Sequence, residues 1–253
     1  MSGAKTKPLK SLRSAFEIVD YLKRSGGAGV TDVANELSLP KSTAHVYLSS
    51  LEEIGFAVND EGTYRVGMRF LDIGENARSQ KQIYQVGCEE VDRLAAETGE
   101  LASMMIPEHG RGVYLYRKRG EQAMPVKSHI GKHVDLHCRA SGKAILSALP
   151  REEIEQIIDE KGLVARTERT ITERDELWAE LERIGKQGYA VNDGELREGL
   201  RCIGAPVTRN GRVVGAISVS GPVGRIQGER FEEEIPKLVK NAANIVEITV
   251  SYS

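Results

Sequence analysis

Three short helical patterns followed by two β-prone runs occupy the first quarter of the chain, and few folds accommodate that order. In the first pattern, apolar residues recur at spacings of three and four, and a Ser-Gly-Gly turn ends it. The second begins near Thr31, a favourable N-cap, and stops before Pro40, whereas the third runs from about Lys41 to Gly55. Two β-prone runs then flank the turn residues 59–62 and predict a hairpin. This order of elements predicts a winged helix-turn-helix.

Helical periodicity also predicts the buried and exposed faces of these helices. For the first helix, the expected buried stripe is Leu12, Ala15, Phe16, Val19 and Leu22. For the third helix, the expected buried side chains are Ala44, Tyr47, Leu48, Leu51 and Ile54. On the opposite face of the third helix, we expect Ser42, His45 and Ser49 to be exposed.

The start of the third helix carries residues that suit contact with DNA, because this helix of a winged helix-turn-helix enters the major groove. Its first residues offer backbone N–H groups, a cation and two hydroxyls to a phosphate or a base edge. Arg13 and Arg65 suit backbone phosphates. The predicted DNA-contacting residues are Arg13, Lys41, Ser42, Thr43, His45, Tyr47, Ser49 and Arg65. The alternative is a protein-interaction module in which residues 41–43 form an ordinary helix N-terminus.

Charge is distributed unevenly along the 253 residues, although the formal net charge is only −2. Averaged over the whole chain, this balance would argue against a nucleic-acid binder. Residues 1–50, however, carry seven basic and four acidic side chains, a charge of +3 that leaves −5 for the remainder. Charge blocks of opposite sign indicate different partners for the two parts of the chain.

The rest of the chain predicts a helical linker followed by a mixed domain. Helical periodicity resumes at Met68 and continues to about Gly99, with a polar patch at 76–82. Strand-like runs follow at 101–106, 113–117, 201–207 and 213–220. Further helical patterns lie at 140–149, 152–161, 173–187 and 229–248. Tight turns at 108–110 and 209–211 connect adjacent strands, so the sheet should be at least partly antiparallel.

Eight short segments carry a resemblance to a known family. In the amino-terminal part they are LKSLRSA at 9–15, LPKST at 39–43, LEEIGF at 51–56 and YRVG at 64–67. In the carboxyl-terminal part they are LHCRASGKA at 136–144, GYAVNDGE at 188–195, GLRCIGAPV at 199–207 and GAISVSGP at 215–222. In this order the chain resembles the IclR (isocitrate lyase regulator) family of transcription factors over about residues 9–250. One departure is Val46, because the family usually has arginine there, and arginine is the commonest base reader.

The resemblance implies a GAF-like effector domain whose pocket binds small organic acids or other catabolic metabolites. At the family's ligand-contacting positions stand Ala140, Ser141, Asn192, Asp193, Cys202, Ser218 and Ser220. These residue types suit such a pocket, since N–H groups at a helix start can hold a carboxylate. Ser218 and Ser220 should face the same side of a strand, and Asn192 or Asp193 should lie on a loop that closes over the ligand. The alternative is that the glycine-rich turns are structural and the serines satisfy backbone groups.

The combined expectation is an α+β protein with three segments. These are a winged helix-turn-helix DNA-binding domain over 9–67, a linker helix over 68–80 and a GAF-like α/β effector-binding domain over 81–253. A single DNA-binding domain contacts few phosphates. We therefore expect a homodimer or homotetramer, as in IclR-like members, on a palindromic double-stranded DNA operator. A small-molecule effector, expected to be a carboxylate such as an organic acid or a sugar-derived catabolite, should control operator binding.

Histidines suggest a second possibility, a metal-sensing regulator. His129, His133 and His137 are spaced by four, Cys138 is adjacent, and such ligands suit zinc. On a strand, however, positions four apart lie about 13 Å from each other, so simultaneous ligation requires a bend. Exposed or core histidines are the favoured interpretation, and we expect no bound metal or other cofactor.

A third possibility is a cysteine-dependent hydrolase of small molecules. Cys202, His137 and Asp193 could serve as nucleophile, base and orienting acid. The chain has no nucleophile elbow, Walker loop or dinucleotide fingerprint, and nothing in the spacing of the three residues requires catalysis. We therefore expect a regulator without catalytic residues.

The apolar runs and the cysteines of the sequence indicate the cellular compartment of the protein. No run approaches the roughly 20 apolar residues that a bilayer requires, and residues 1–10 lack the apolar core of a signal peptide. The three cysteines are scattered and odd in number, which fits a reducing compartment. We expect a cytoplasmic protein without membrane contact.

Overall fold

This computed structural model describes residues 9–125 and 128–252 of the chain. The described residues form two units. The division between the units falls between Ala77 and Arg78. The first unit is a winged helix-turn-helix, and the second is an antiparallel sheet with helices on both faces. The predicted α+β class is therefore confirmed. Among the described helices, none combines the length and the apolar character needed to cross a membrane.

The amino-terminal unit has the predicted order of elements. They are α1 (Lys10–Ser25), α2 (Val30–Glu36), α3 (Lys41–Glu53), β1 (Ala57–Asp60) and β2 (Thr63–Val66). Strands β1 and β2 pair antiparallel, and Gly62 adopts a φ of 88° in the turn between them. The N-cap of α2 is Gly29 rather than the expected Thr31, because the Gly29 N–H donates to the Asp32 carboxylate and the helix starts earlier.

Burial in this unit corrects the predicted helix faces. Ile18 and Leu22 of α1 are buried, whereas Leu12 and Phe16 are 53% and 54% exposed. The reason is that only the face through Ile18 and Leu22 packs into the core formed with α3 and β2. The buried residues of α3 are Ala44, Leu48 and Leu51, as predicted. Ile54 is half exposed because α3 ends at the preceding residue.

The helical pattern after the wing forms two helices, α4 (Arg69–Ser79) and α5 (Gln82–Thr98). Helix α4 occupies the segment expected for the linker. Its first turn packs against the start of the wing, where the Arg69 guanidinium lies 4.9 Å from the centre of the Phe56 ring. Phe70 meets the same ring edge-on at 4.7 Å. Aromatic and cation–π contacts therefore join α4 to the hairpin.

Six antiparallel strands form the sheet of the second unit. They are β3 (Leu101–Glu108), β4 (Arg111–Arg119), β5 (His133–Val134), β6 (Ala190–Asp193), β7 (Leu200–Arg209) and β8 (Arg212–Pro222). Their order across the sheet is β5-β4-β3-β8-β7-β6. The predicted tight turns contain His109 and Asn210, with positive φ values of 49° and 52°. Residues 190–193, part of an expected loop, instead form the edge strand β6, because they pair with β7.

Helices cover both faces of this sheet. Helix α5 and helix α9 (Ile235–Tyr252), which follows a π-helical turn at Arg230–Glu234, pack on one face. The other face carries α6 (Ala140–Leu146), α7 (Arg151–Lys161) and α8 (Arg174–Gln187). Side chains of each strand alternate between the two cores, so Ile217 packs with α5 and α9 while Ala216 packs with α6.

Helix α6 lies very close to β7 and to the segment before the helix, because a glycine occupies each contact. A Cβ on Gly204 of β7 would lie 2.7 Å from the backbone nitrogen of Ser141. A Cβ on Gly142 of α6 would lie 2.1 Å from the carbonyl oxygen of Leu136. Both neighbours are backbone atoms, which cannot rotate away as the end of a side chain can. Gly204 therefore allows the first turn of α6 to approach β7, and Gly142 allows the backbone at Leu136 to lie against α6.

Buried ion pairs join α6 to α8 and to the segment after β6. The Lys143 Nζ lies 3.0 Å from Glu180 Oε1 and 2.5 Å from Glu195 Oε1, and the Lys143 side chain is 1% exposed. Burial raises the pKa of the Glu195 carboxyl, and the ammonium of Lys143 opposes this shift. Charges removed from water to this extent are stabilised mainly by each other. The pairs therefore hold the segment after β6 against α6.

We expect Gly142→Ala to lower the free energy of unfolding by roughly 1–3 kcal/mol, because the new methyl group would overlap the Leu136 carbonyl. Gly185→Ala is the matched control. Gly185 lies inside α8, where a Cβ meets no atom within 4 Å. This change should therefore raise the free energy of unfolding by about 0.5–1 kcal/mol. Urea unfolding followed by circular dichroism measures both. Equal stability of the two variants would contradict the close-contact argument.

Lys143→Met should lower the free energy of unfolding by about 3–5 kcal/mol, because the buried Glu195 carboxylate would lose its cation, whereas Glu180 would still pair with Arg183. The loss should shrink in acid, where protonation removes the charge of the Glu195 carboxyl. Arg174→Met is the control, since Arg174 is 49% exposed and its ion pairs lie in water, so this change should lower the stability much less. Denaturant titrations at several pH values test this, and similar losses in both variants would count against the role assigned to Lys143.

Candidate functional sites

A cavity lies between the sheet and the start of α6. Its lining residues come from β3, β4, β6, β7, β8 and the first turn of α6. In this structure the cavity is narrow, with a volume of about 30 Å³, so an organic ligand would fit only after the cavity walls move apart. A larger open groove lies between the turn at His109 and the start of α7, but none of the predicted effector-binding residues lines it. The cavity under α6 is therefore the candidate ligand site.

Six of the seven predicted effector-binding residues line this cavity. They are Ala140, Ser141, Asn192, Cys202, Ser218 and Ser220. Strand register explains the first row of these side chains, because Cys202 lies opposite Asn192 on one side and Ser220 on the other. The row therefore places a thiol, an amide and a hydroxyl side by side on the face of the sheet that α6 covers.

A second row of residues crosses the sheet next to the first. Ser218 lies opposite Gly204 on β7 and opposite Ser103 on β3. Because Gly204 has no side chain, Ser141 of α6 lies directly above this row. Hydroxyl groups therefore reach the cavity from the sheet below and from the helix above.

Asn192 and Asp193 take different positions, although the two were predicted as alternatives. Asn192 is fully buried, and its Nδ2 donates to the carbonyl oxygen of Cys138 at 2.6 Å. Asp193 does not line the cavity. Its carboxylate accepts two hydrogen bonds from Arg201, at 2.8 and 3.1 Å, which hold the pKa of the Asp193 carboxyl below its usual range. Alternation along β6 accounts for the difference, because neighbouring residues of a strand face opposite sides.

Sequence patterns missed four polar residues of the cavity. They are Ser103, Tyr114, Arg117 and Arg139. Arg139 lies inside a recognised segment, directly before Ala140, so its position there was the available signal. Arg117 had no such signal, since it reaches the cavity only through an irregularity of its strand.

That irregularity is a β-bulge at Leu115. Met104 pairs with Tyr116 and Met105 with Tyr114, so Leu115 is an extra residue in β4. In a regular strand, positions 114 and 117 would face opposite sides. The bulge brings both to the cavity, where the Arg117 guanidinium lies 4.8 Å from the centre of the Tyr114 ring.

Cys202, His137 and Asp193 are not assembled as a catalytic set. Burial raises the pKa of the Cys202 thiol to about 11, so the thiol is protonated near neutral pH. His137 lies outside the cavity lining, with its Nε2 3.1 Å from the carbonyl oxygen of Val164. Asp193 is bound to Arg201. The geometry offers Cys202 neither of the two partners that the hydrolase alternative requires.

The three spaced histidines do not converge. His129 is exposed, with its Nδ1 2.9 Å from the carbonyl oxygen of Ile130. His133 lies 3.5 Å from Glu108 on the neighbouring hairpin, and His137 is buried. In the described part of the chain, no three His, Cys, Asp or Glu side chains lie close enough to hold a metal ion. His129, His133 and His137 are therefore not arranged in this structure to bind one metal ion together.

Helix α3 presents a polar face to solvent in the first unit. Lys41, Ser42 and His45 are exposed, and Thr43 and Ser49 are half-buried. Tyr47 is also half-buried and packs against the core of the unit, so it contributes less to the exposed face. The N-cap is Pro40, which has no capping side chain, so the first N–H groups of α3 are open to a partner such as phosphate.

Val46 lies on α3 itself, and the two predicted phosphate contacts lie on other elements of the unit. Val46 is 62% exposed, which places an apolar side chain on the face that would meet DNA. Arg13 is exposed on α1. Arg65, in the wing, donates to the carbonyl oxygen of Gly26 at 2.6 Å and remains exposed. Arg65 therefore also anchors the wing to the end of α1.

Comparisons with known proteins agree with this architecture. Residues 11–61 match the model of the IclR helix-turn-helix domain, and residues 76–247 match that of the bacterial transcriptional regulator IclR C-terminal domain. The chain is 35% identical over 252 residues to a probable HTH-type transcriptional regulator, ArcR, of Halobacterium salinarum, across 98% of this chain and 96% of that protein.

Solved structures are similar over nearly the whole chain. The crystal structure of Thermotoga maritima IclR has a TM-score of 0.79 and 32% identity, and the match covers 96% of this chain and 99% of that one. An IclR homolog from Microbacterium hydrocarbonoxydans, crystallised with 4-hydroxybenzoate, has the same fold with a TM-score of 0.83 at 20% identity, covering 96% and 100%.

Both units and their order therefore match one family. The match includes the winged helix-turn-helix and the sheet domain that contains the cavity. The resemblance read from eight short sequence segments is confirmed. This chain belongs to the IclR family of transcriptional regulators.

Proposed function

We propose that this regulator binds a palindromic DNA operator through α3 and responds to a small anionic effector in the cavity under α6. The observation that carries the proposal is the chemistry of the cavity in a chain of this family. Its described lining offers hydroxyl, amide and guanidinium groups and no carboxylate. Such groups recognise organic acids. The regulator would act in the cytoplasm, where its operator lies.

The exposed face of α3 supports the DNA-binding part of the proposal. Lys41 and the uncapped N–H groups of the first turn suit phosphate, and Ser42 and His45 suit base edges. Val46 leaves this face without the arginine usual in the family, so Ser42 and His45 would read the bases. Arg13 and Arg65 would contact phosphates on either side of the groove.

A homodimer, with further pairing to a tetramer, is the form we propose for operator binding. A palindromic site requires two DNA-binding domains, and a two-fold symmetric dimer presents them in matching orientation. Exposed apolar side chains on the first unit support this form, since such side chains favour coverage by a partner. Leu9, Leu12 and Phe16 are 73%, 53% and 54% exposed.

Control by the effector would operate through two states of the protein. A ligand can shift DNA affinity only if it binds those states with different affinities. The cavity is a good place for such a difference, because its walls come from separate strands and from α6. A small movement of α6 would change several ligand contacts at once.

Lys41→Ala should weaken DNA binding across sequences and reduce the salt slope by about one, because a phosphate contact is lost. His45→Ala should instead change sequence preference. Lys161→Ala, in the second unit, is the control with the same change of charge. Fluorescence anisotropy on DNA from the protein's own upstream region, at several salt concentrations, measures these effects. Unchanged affinity and salt slope for Lys41→Ala would contradict the role assigned to α3.

The paired substitution Ser218→Ala with Ser220→Ala should weaken effector binding by about 10-fold or more, because two hydroxyl contacts disappear. Operator binding without effector should stay intact. Asp193→Asn is the control, since Asp193 lies outside the cavity lining and its change should preserve the response. A gel-shift assay with a panel of organic acids reads out the response. A full response in the serine variant would exclude this cavity as the effector site.

A further inference from the structure

The proposed effector cavity contains two guanidinium groups without an acid to balance them. Arg117 enters it from β4, and Arg139 enters it just before α6. The described lining residues include no Asp or Glu. Cations brought together away from water lose hydration and repel each other, so neutralising anions are strongly favoured there.

Arg117 is held by neutral groups. Its guanidinium packs over the Tyr114 ring at 4.8 Å, and its Nε donates to Ser103 Oγ at 3.3 Å. Burial lowers the pKa of Arg117, and its charged or ionisable neighbours are Tyr114, Arg119 and Cys202. Arg117 therefore lacks a carboxylate partner in the described structure and keeps most of its N–H groups for a ligand.

Arg139 makes no direct ion pair with a carboxylate of the described residues. Its Nη1 donates to the carbonyl oxygen of Asp135 at 2.8 Å and to Cys138 Sγ at 3.2 Å. Its Nε is buried and has no hydrogen-bond partner among the described residues. The carboxylate of Asp135 is already bound by Arg111 and Arg166, one at each oxygen. The positive charge of Arg139 therefore remains available to the cavity.

Two other side chains set the shape of the ligand. Tyr114 lies between the guanidinium groups, with Arg117 over its ring and Arg139 beside its hydroxyl. On another wall, the Nδ2 of Asn192 is bound to a backbone carbonyl, which fixes the amide, and its buried Oδ1 has no partner among the described residues. An acceptor of this kind requires a donor, and a ligand hydroxyl supplies one.

We propose that the effector is a small hydroxylated dicarboxylic acid, with one carboxylate on Arg117, the other on Arg139 and a hydroxyl that donates to Asn192. The inference rests on the proposed effector function of this cavity and specifies its ligand class. A monocarboxylate would leave one guanidinium unpaired. The serine hydroxyls of the sheet can donate to either carboxylate, so the arginines, rather than the serines, select for two charges.

Isothermal titration calorimetry on the full chain tests this with matched acids. Malate and 3-hydroxybutyrate differ by one carboxylate, as do succinate and butyrate. The dicarboxylate of each pair should bind at least about 10-fold more tightly, and malate more tightly than succinate. Arg117→Gln and Arg139→Gln should each weaken malate binding by about 10- to 100-fold and reduce its advantage over 3-hydroxybutyrate.

Controls separate charge recognition from damage to the fold. Arg212→Gln changes an exposed arginine of β8, outside the lining, and should leave all four affinities unchanged. Thermal unfolding checks each variant. If Arg139→Gln fails to fold, Arg117→Gln carries the test, with Arg117→Lys expected to keep part of the preference through its charge.

The operator shift measured with the same four acids distinguishes the possible failures. Equal affinity within each pair would overturn the dicarboxylate proposal, while the proposed function would survive if those acids still altered DNA affinity. Failure of all four acids both to bind and to alter DNA affinity would overturn the dicarboxylate proposal and count against the proposed effector function as well.

Discussion

The close approach of α6 to β7 is the contact on which the cavity and its surroundings depend. Gly204 permits it, because a side chain there would overlap the backbone of α6, and Gly142 similarly permits the backbone at Leu136 to lie against the same helix. Through this contact, Ser141 and Arg139 lie above the row of strand hydroxyls rather than at a distance from it. Lys143, one residue further along α6, then ties the segment after β6 to the same helix through a buried ion pair. One short helix thus supplies both the roof of the cavity and the anchor of its edge.

Local signals predicted much of this architecture. Glycine turns, a proline and apolar spacing determine the conformation of residues close to them in the sequence. The elements of the winged helix-turn-helix could therefore be predicted in order. The paired serines of β8 were identifiable because residues two apart on a strand share a face whatever the strand pairs with. The exposure of Leu12 and Phe16 was not predictable in this way, since periodicity defines an apolar stripe but not how much of it a neighbour covers.

The remaining cavity residues depend on pairing that periodicity does not contain. The choice between Asn192 and Asp193 required the knowledge that 190–193 is a strand, because only then does alternation separate the two. Arg139 stood beside predicted residues, but its charge is available only because Asp135 is bound by other arginines. These are properties of the assembled sheet and its neighbours, so they emerge from the structure alone.

The bulge at Leu115 shows how a cavity of this kind can diversify. If β4 instead paired regularly through Leu115, position 117 would face the opposite side of the sheet, where α5 and α9 form an apolar core. The guanidinium would then be lost from the cavity, although no residue type in the sequence had changed. The register of β4 therefore determines whether the cavity contains this cation, just as the choice of side chain does. A change of pairing that shifts β4 by one residue beyond the bulge would be enough for related proteins of this fold to recognise metabolites of different charge.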